Sequence, residues 1–595
     1  MANVFSTRIG ELRKMMEKNG IAATLVIHTD PHHSQEYFAA RWQGRKWLSG
    51  FTGDDGNLVV TADEARLWTD SRYFLQAEAE LDGSGIILMR DGLPTTPSIE
   101  SYLLETLKEG EKLGVDLMLL TRKEADNLRS VLGCKGIELV HFDPFDKIWT
   151  DRPGCPTTPT FLHDVKYSGE STASRIKRVM ANVKSSGAES TIIGALDEIA
   201  WILNMRGSDV PSIPVFIAFL FLDDNNGSVL FIDKEKIATT KHHLEDNGIT
   251  VKPYEDLLDF ISRLPDNAKV AYNPATIPDI IASKLGSHGI AADSPVALIK
   301  ACKNPVQIEC LRHALNRDSV ALVKTFMEIE RRLSDGEELT EMDVAELATK
   351  FRSEHPFYRG DSFEPISCYK SHAAIVHYIP NKSSNATIYP EGILLLDSGA
   401  HYIDGTTDIT RTISLGKATA EERRDFTLVM KGHIALARAK FPEGTVGAQL
   451  DVLARQFLWA EGKSYLHGTG HGVGFFLGVH EGPQSIRLNY VPTPLLPGMV
   501  VSNEPGIYLA DRYGVRCENL ILTVEDEETE FGRFFRFETL TLFPFDLKLF
   551  DTSIMTDEEI QWINDYHARC REVLLPRLNP EQAAWLKAKT EPLKR

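Results

Sequence analysis

The sequence predicts an α/β (α+β) protein of three domains, and three observations predict it. Helix-like and strand-like segments alternate from the start of the chain to about Lys303, short stretches recur within that region, and the texture changes at Asn304.

The first domain spans residues 1–155. Its opening segment, MANVFSTRIGELRKMMEKNG, reads as an amphipathic helix without the apolar core of a secretion signal. The apolar run Ile21 to Ile27 follows, then strands at Asn57 to Val60, Ala65 to Trp68 and Ile86 to Met89. A helix is predicted over Ser98 to Leu107, and Lys112 to Leu120 enters another strand. Asp151 to Thr160, DRPGCPTTPT, has the composition of a linker. Residues 156–303 repeat the plan. Val229 to Asp233 resembles Arg66 to Asp70, and Lys269 to Asn273 resembles Lys112 to Asp116, at similar offsets. In residues 304–595 long helices dominate first. Gln307 to Arg332 is amphipathic and ends at Gly336; Thr340 to Arg352 is a second helix. Ala420 to Lys440 and Val446 to Glu461 are two more, separated by Pro442 and Gly444. Strands run from Val500 to Phe543, and Thr556 to Leu575 is a helix with Ile560, Ile563 and Val573 on its apolar side.

Composition excludes several function classes. The 595 residues are 43% hydrophobic and 25% charged, with a formal net charge of −19. That balance belongs to a globular protein and disfavours a nucleic-acid or anionic-membrane partner, which needs a basic face. The seven cysteines are scattered, odd in number and lack CxxC spacing, as expected of reduced thiols. The most apolar run, Ile213 to Leu222, is too short to span a bilayer. A cytoplasmic location is the expectation.

The chemistry gathers around GILLLDSGAHYIDGTTDITRTISL, residues 392–415. An apolar run ends in Asp397, and Asp408 precedes a second β-rich run, Thr410 to Leu415. A single strand-end aspartate caps a turn. A set of buried carboxylates needs cations, so the remaining ligands decide the matter. HGTGHGVGFFLGVHEGP follows, with His467, His471 and His480. Its glycines suit either a phosphate cradle or close backbone approach beside a metal. No helix start follows them, and Phe475 to Val479 is predicted to be a strand. Val500 to Asn503 then delivers Glu504, and Glu518 opens another apolar run. Asp397, Asp408, His471, Glu504 and Glu518 make five potential ligands, four of them carboxylates. That donor set suits two divalent ions, above all Mn²⁺, with Zn²⁺, Co²⁺ or Fe²⁺ as alternatives.

This ligand order, with HGTGHGVG, VHEGP, NEPGIY and VRCEN, resembles the pita-bread dinuclear metallopeptidases. Within them it is similar to the three-domain aminopeptidase P (Xaa-Pro aminopeptidase) family. TDSRYFLQA, LDEIAWILNMRGSD and LTLFPFD look like that family's outer segments; the serine in Asp70-Ser71-Arg72 stands where the family often has glycine. The resemblance implies two creatinase-like N-terminal α/β domains and a C-terminal pita-bread catalytic domain. It implies a substrate peptide with a free N-terminus and proline second, cleaved through a metal-bridging hydroxide. Asp397 would hold one ion, His471 and Glu504 the other, and Asp408 and Glu518 both. Glu504 would also move the water's proton. His377 and His480 would donate to the carbonyl, His467 would sit against the proline ring, and Arg516 would orient Glu518 from the same strand face. Arg72 is divided between a structural ion pair and a role near the substrate. The leading domains would shield the cavity from long chains, and the C-terminal extension would support a homodimer. The alternatives are a prolidase, cleaving Xaa-Pro dipeptides, and a non-catalytic binding module of the same fold.

Overall fold

The computed structural model describes residues 4–34, 36–225 and 227–595. It divides into two compact units, residues 1–165 with 170–296, and residues 166–169 with 297–595. Among the described residues no helix is long and apolar enough to cross a membrane.

The first unit opens with helix α1 (Val4–Lys18), which buries Ile9, Leu12 and Met16; the first three residues of the expected helix lie outside the described residues. Six strands follow: β1 (Ala23–Val26), β2 (Asn57–Thr61), β3 (Ala65–Thr69), β4 (Ile87–Arg90), β5 (Lys112–Val115) and β6 (Glu138–His141). They form one sheet in the order β4-β3-β2-β1-β5-β6. Helix α2 (Ile99–Thr106) is capped by Ser98, and α3 (Arg122–Leu132) by a Thr121–Glu124 capping box.

Six more strands follow: β7 (Ser190–Ile193), β8 (Phe219–Asp223), β9 (Ser228–Phe231), β10 (Ile249–Lys252), β11 (Val270–Tyr272) and β12 (Gly289–Ala291). Their order is β10-β9-β8-β7-β11-β12, the first sheet's order over again. The strand directions repeat too. β1 is antiparallel to β2 and parallel to β5, as β7 is antiparallel to β8 and parallel to β11. The recurring stretches seen in the sequence fall at β3 and β9, and at β5 and β11, equivalent positions in the two sheets. The Lys112 strand stops at Val115, short of the expected Leu120. Residues 152–160 carry no helix or strand, as the linker composition implies.

The second unit begins with α4 (Ala297–Ala301). Helix α5 (Pro305–Asp335) follows, opened by an Asn304–Gln307 capping box with Pro305 in its first turn and closed by Gly336 at φ 71°. Helix α6 (Glu341–Ser353) is capped by Thr340. Strands β13 (Ile366–Tyr369), β14 (Ile393–Ser398) and β15 (Ile409–Ser414) form an antiparallel sheet in that order. Every residue of β14 is buried. Leu394 and Leu396 pack with Phe326 and Phe543, whereas Ile393 joins Phe426 and Val515 in another cluster. A strand covered on both faces reads as an unbroken apolar run, which is why GILLL does not alternate. Between β14 and β15 the chain adds a small hairpin, Ala400–Tyr402 with Gly405–Thr406, that was not foreseen.

Helices α7 (Ala420–Ala437) and α8 (Gly447–Trp459) pack against each other. Strands β16 (Val500–Asn503), β17 (Gly506–Leu509), β18 (Tyr513–Arg516), β19 (Asn519–Thr529) and β20 (Gly532–Thr539) supply the rest. β16, β19 and β20 share a sheet with Lys440–Pro442, while β17 and β18 pair as a hairpin. The tail forms α9 (Asp557–Leu574) and a further helix, α10 (Pro580–Lys589), with its own Asn579–Gln582 capping box. The expected strand over Phe475 to Val479 does not form. Gly474 N–H bonds to Gly478 O at 3.0 Å, Phe476 takes φ 49°, and the segment turns on itself.

Buried His567 on α9 links this fold to pH. Its Nε2 accepts the Phe545 N–H at 3.1 Å, so that nitrogen must carry no proton. Burial, helped by Arg411 and Arg571, lowers its pKa from 6.5 to about 3. The unfolded chain therefore takes up the proton first. Stability is complete above pH 6.5 and declines as pH falls from 6.5 toward 3, by up to about 1.4 kcal/mol per pH unit from this residue. Urea unfolding at pH 7, 6 and 5 should show a shallower loss for His567→Gln than for the wild type; identical slopes would refute the assignment.

Candidate metal centre

Five strand ends converge here. Asp397 lies near the end of β14, Asp408 immediately before β15, and His471 ends the short strand Gly470–His471. Glu504 directly follows β16, and Glu518 lies between β18 and β19. Backbone hydrogen bonds set their spacing: Glu504 N–H reaches Thr469 O at 2.8 Å, and Glu518 N–H reaches Thr410 O at 3.1 Å. Glycine is needed for the first approach. A Cβ on Gly470 would lie 1.9 Å from Ser502 O.

One ligand atom from each of Asp408, His471 and Glu518 falls within 4.8 Å of the others. His471 Nε2 is 3.3 Å from Glu504 Oε1 and 3.5 Å from Asp408 Oδ2. The other ring nitrogen, Nδ1, is 3.0 Å from Gly472 O. A proton on Nδ1 satisfies that carbonyl. Burial opposes a second proton, but the hydrogen bond to Glu504 and its charge outweigh burial and raise the ring to about 9, so Nε2 donates to Glu504 until a cation takes that proton's place.

Each outer carboxylate is held by one oxygen. Arg516 Nη2 and Nε donate to Asp397 Oδ2 at 2.6 and 3.2 Å. Thr410 Oγ1 donates to Glu518 Oε2 at 2.8 Å. The other oxygens, Asp397 Oδ1 and Glu518 Oε1, are buried with no protein hydrogen-bond partner. Such orphans cost about 1–3 kcal/mol each, more when charged. Burial, then the neighbouring negative charges, pushes the Asp408 and Glu518 carboxyls well above the carboxylate range. Burial alone would do the same to Glu504, but its hydrogen bond to His471 pulls it to about 2. Bound cations supply what the site lacks, and its donors fit hard to borderline divalent ions.

The structure corrects one expectation. Arg516 does not bond Glu518 directly: its guanidinium turns to Asp397, and it reaches Glu518 only through Thr410, whose Oγ1 lies 3.3 Å from Arg516 Nε. Arg516 Nη1 also donates to Tyr508 Oη at 2.9 Å, and Tyr508 Oη lies 2.8 Å from His467 Nε2. His467 Nδ1 is 2.7 Å from Gly468 O, so a proton there lets Nε2 accept from Tyr508. Burial outweighs the nearby Glu504 and brings His467 to about 4, leaving the ring neutral.

The His480 ring stands edge-on to His471, centroids 4.2 Å apart. His377 lies in a turn after Lys370–Ala374, partly buried beside Tyr378. Glu341, fully buried at the start of α6, orders that segment. It accepts from Tyr369 N–H at 2.6 Å, His372 Nδ1 at 2.8 Å, Tyr378 Oη at 2.9 Å and Ala386 N–H at 2.9 Å. Arg72 belongs to the first unit, where it pairs with Glu36 at 2.7 Å and Asp70 at 2.8 Å. Thr410, Tyr508, Glu341 and Arg411 went unread in the sequence. Arg411 fixes the Glu518 backbone by donating to its carbonyl at 2.5 Å. The one available sign was Thr410, two residues after Asp408 and hence on the same side of a strand.

Residues 309–525 match Metallopeptidase family M24, and 533–593 its C-terminal region. Residues 8–150 and 151–307 each match a Creatinase/Prolidase N-terminal domain. Aminopeptidase P2 of Arabidopsis thaliana is 39% identical, the alignment covering 99% of this chain and 89% of that one. A probable Xaa-Pro aminopeptidase P of Coprinopsis cinerea is 38% identical over 99% and 98%. Among solved structures, the X-prolyl aminopeptidase of Caenorhabditis elegans, described as a cytosolic enzyme with a di-nuclear active site, superposes with a TM-score of 0.94. It is 35% identical, with 99% of each chain covered.

Crowded carboxylates make the metal-free site a strained one. Mn²⁺ at about 100 times its Kd should stabilise the wild type by about 2.7 kcal/mol. Metal-free Asp408→Asn, with a crowded buried carboxyl replaced by a neutral amide, should melt no lower than metal-free wild type and gain far less from Mn²⁺. Calorimetry with and without the ion checks both; an unchanged Mn²⁺ response in the variant would sink the assignment.

Proposed function

The chain belongs to metallopeptidase family M24, and we propose that it is an Xaa-Pro aminopeptidase that removes the first residue of peptides whose second residue is proline. One observation carries the chemistry: Asp408, His471 and Glu518 can each offer a ligand atom within 4.8 Å, with Glu504 against the same histidine. Full-length relatives that carry this activity in their names support the substrate class. Prolidase-type structures, such as the Xaa-Pro dipeptidase of Bacillus anthracis at 20% identity, share the fold over 63% of the chain and no more. In the same reading, residues 1–155 and 156–303 are two related domains and 304–595 the pita-bread catalytic domain.

Asp397 would serve one divalent ion, His471 and Glu504 the other, and Asp408 and Glu518 would serve both, with Mn²⁺ favoured by the oxygen-rich donor set. When bound, two such ions supply an activated water near neutral pH and polarise the scissile carbonyl. Glu504 takes the water's proton and returns it to the departing prolyl nitrogen. As with any amide, that nitrogen leaves only once it has taken up a proton, and Glu504 is placed to supply it. His377 and His480 donate to the oxygen that gains charge as the carbonyl is attacked. Neutral His467, steadied by Tyr508, offers its ring to the proline. Arg516, buried against Asp397 and Tyr508, serves the substrate by fixing these two groups. Arg72, paired with Glu36 and Asp70, is divided between a structural ion pair and a role near the substrate. The acidic centre also suits the free α-amine.

The enzyme works in the cytoplasm as a homodimer in this reading. Its seven cysteines are free, which suits a reducing compartment.

A cleavage panel tests the proposal. The metal-stripped protein, reloaded separately with Mn²⁺, Zn²⁺ and Co²⁺, should cleave Xaa-Pro-Xaa tripeptides and longer peptides, fastest with Mn²⁺. Cleavage of Xaa-Pro dipeptides alone would establish a prolidase instead. His480→Ala should lower kcat by about 10²–10³-fold, as loss of one oxyanion donor does, and Asp408→Ala should abolish turnover; full activity in Asp408→Ala would exclude the two-metal mechanism.

A further inference from the structure

A second ionic cluster lies outside the metal centre. Glu481, the residue after His480, is buried together with Lys300 and Lys303. Lys300 Nζ meets Glu481 Oε2 at 2.7 Å and Lys303 Nζ meets Oε1 at 2.9 Å. Lys300 is in α4 and Lys303 follows it, far from the histidine loop in sequence. A buried ion cluster is weak evidence for stability, because apolar groups of equal volume often serve as well or better. What this cluster does supply is direction, through the Lys303 Nζ hydrogen bond to Oε1, with the Lys300 ion pair holding the other oxygen.

Direction matters in this loop. Residues 472–481 leave His471 and return to it, closed by Glu481 N–H to Gly472 O at 2.8 Å and Gly474 N–H to Gly478 O at 3.0 Å. Val473, Phe475, Phe476, Leu477 and Val479 are buried and seat the loop body. Apolar burial is non-directional, however, and does not fix the rotation of the chain at His480. Space is tight at the clamp: a Cβ on Gly474 would come within 2.9 Å of Glu481 Oε2. The lysine segment is itself stitched to the strand that delivers Glu504. Lys303 N–H bonds to Gly498 O at 2.8 Å, and Cys302 bridges Met499, the residue before β16.

We propose that Lys300 and Lys303, acting through Glu481, are positioning residues that hold the His480 ring at its working place beside His471. This rests on His480 as a donor to the substrate carbonyl.

The test replaces the whole cluster, so that no lone charge is left buried: Lys300→Met, Lys303→Met and Glu481→Met together, in wild-type and His480→Ala backgrounds. The triple variant should melt no lower than the wild type and keep its Mn²⁺ affinity. Its kcat on an Xaa-Pro tripeptide should fall by about 100-fold, the scale of a misplaced catalytic group, with KM little changed. In the His480→Ala background the same three changes should cost nothing further. Wild-type kcat in the triple variant, or an undiminished second loss in the His480→Ala background, overturns the proposal. Should the triple variant not fold, Glu481→Asp, one methylene shorter, is expected to lower kcat and Lys303→Arg to retain most of it; wild-type kcat in Glu481→Asp overturns the proposal. If His480→Ala keeps full activity, the reading of His480 fails and this proposal with it. A damaged His480→Ala beside an intact triple variant overturns the positioning role alone.

Discussion

Repulsion among buried carboxylates is the constraint on which the catalytic unit depends. Asp397, Asp408, Glu504 and Glu518 share one small region, and burial raises the cost of every negative charge in it. The surrounding fold answers by holding each group from outside. Arg516 grips Asp397, Thr410 grips Glu518, and His471 draws Glu504. Held in this way, the carboxylates cannot swing apart to relieve their repulsion. The strain is relieved by cations, so the strands are built to a geometry that apolar packing alone would not select.

Much of this was legible because the chemistry sits where apolar runs stop. Asp397 ends a run that is buried on both faces, Glu504 follows a fully buried strand, and Glu518 precedes the buried first half of another. A carboxylate at such a place stands out in a sequence. The end of the long helix was legible from Gly336, whereas its start at Pro305 precedes the expected Gln307 because Asn304 and Gln307 close a capping box. The groups that aim the ligands were not legible. Thr410 and Tyr508 are ordinary strand residues, and Glu341 looks like any acidic residue at a helix start; only the crossing of distant segments gives them partners. Phe475 to Val479 failed for a different reason. Burial of consecutive apolar residues suggests a strand, but the flanking glycines allow a tight turn that buries them equally well.

The repeated sheets of the first unit show how little sequence is needed to keep a topology. Two five-residue likenesses marked equivalent strands, while the intervening chain diverged. What persists is the succession of strand directions, which the connections enforce. The two sheet domains also meet within the unit. Arg129 on α3 pairs with buried Asp279 at 2.5 and 2.8 Å, and His32 Nδ1 lies 2.8 Å from Gly194 O.

His467, Tyr508, Arg516 and Asp397 form one unbroken line of hydrogen bonds. At one end stands the ring assigned to the proline side of the substrate; at the other, a carboxylate assigned to the metal pair. Two sites joined in this way share a coupling free energy, and coupling is reciprocal. On the proposed assignment, a peptide settling against His467 would alter the grip on Asp397, and filling the metal centre would alter the welcome given to the peptide by the same factor. Selectivity for proline and retention of the ions would then be two readings of one equilibrium.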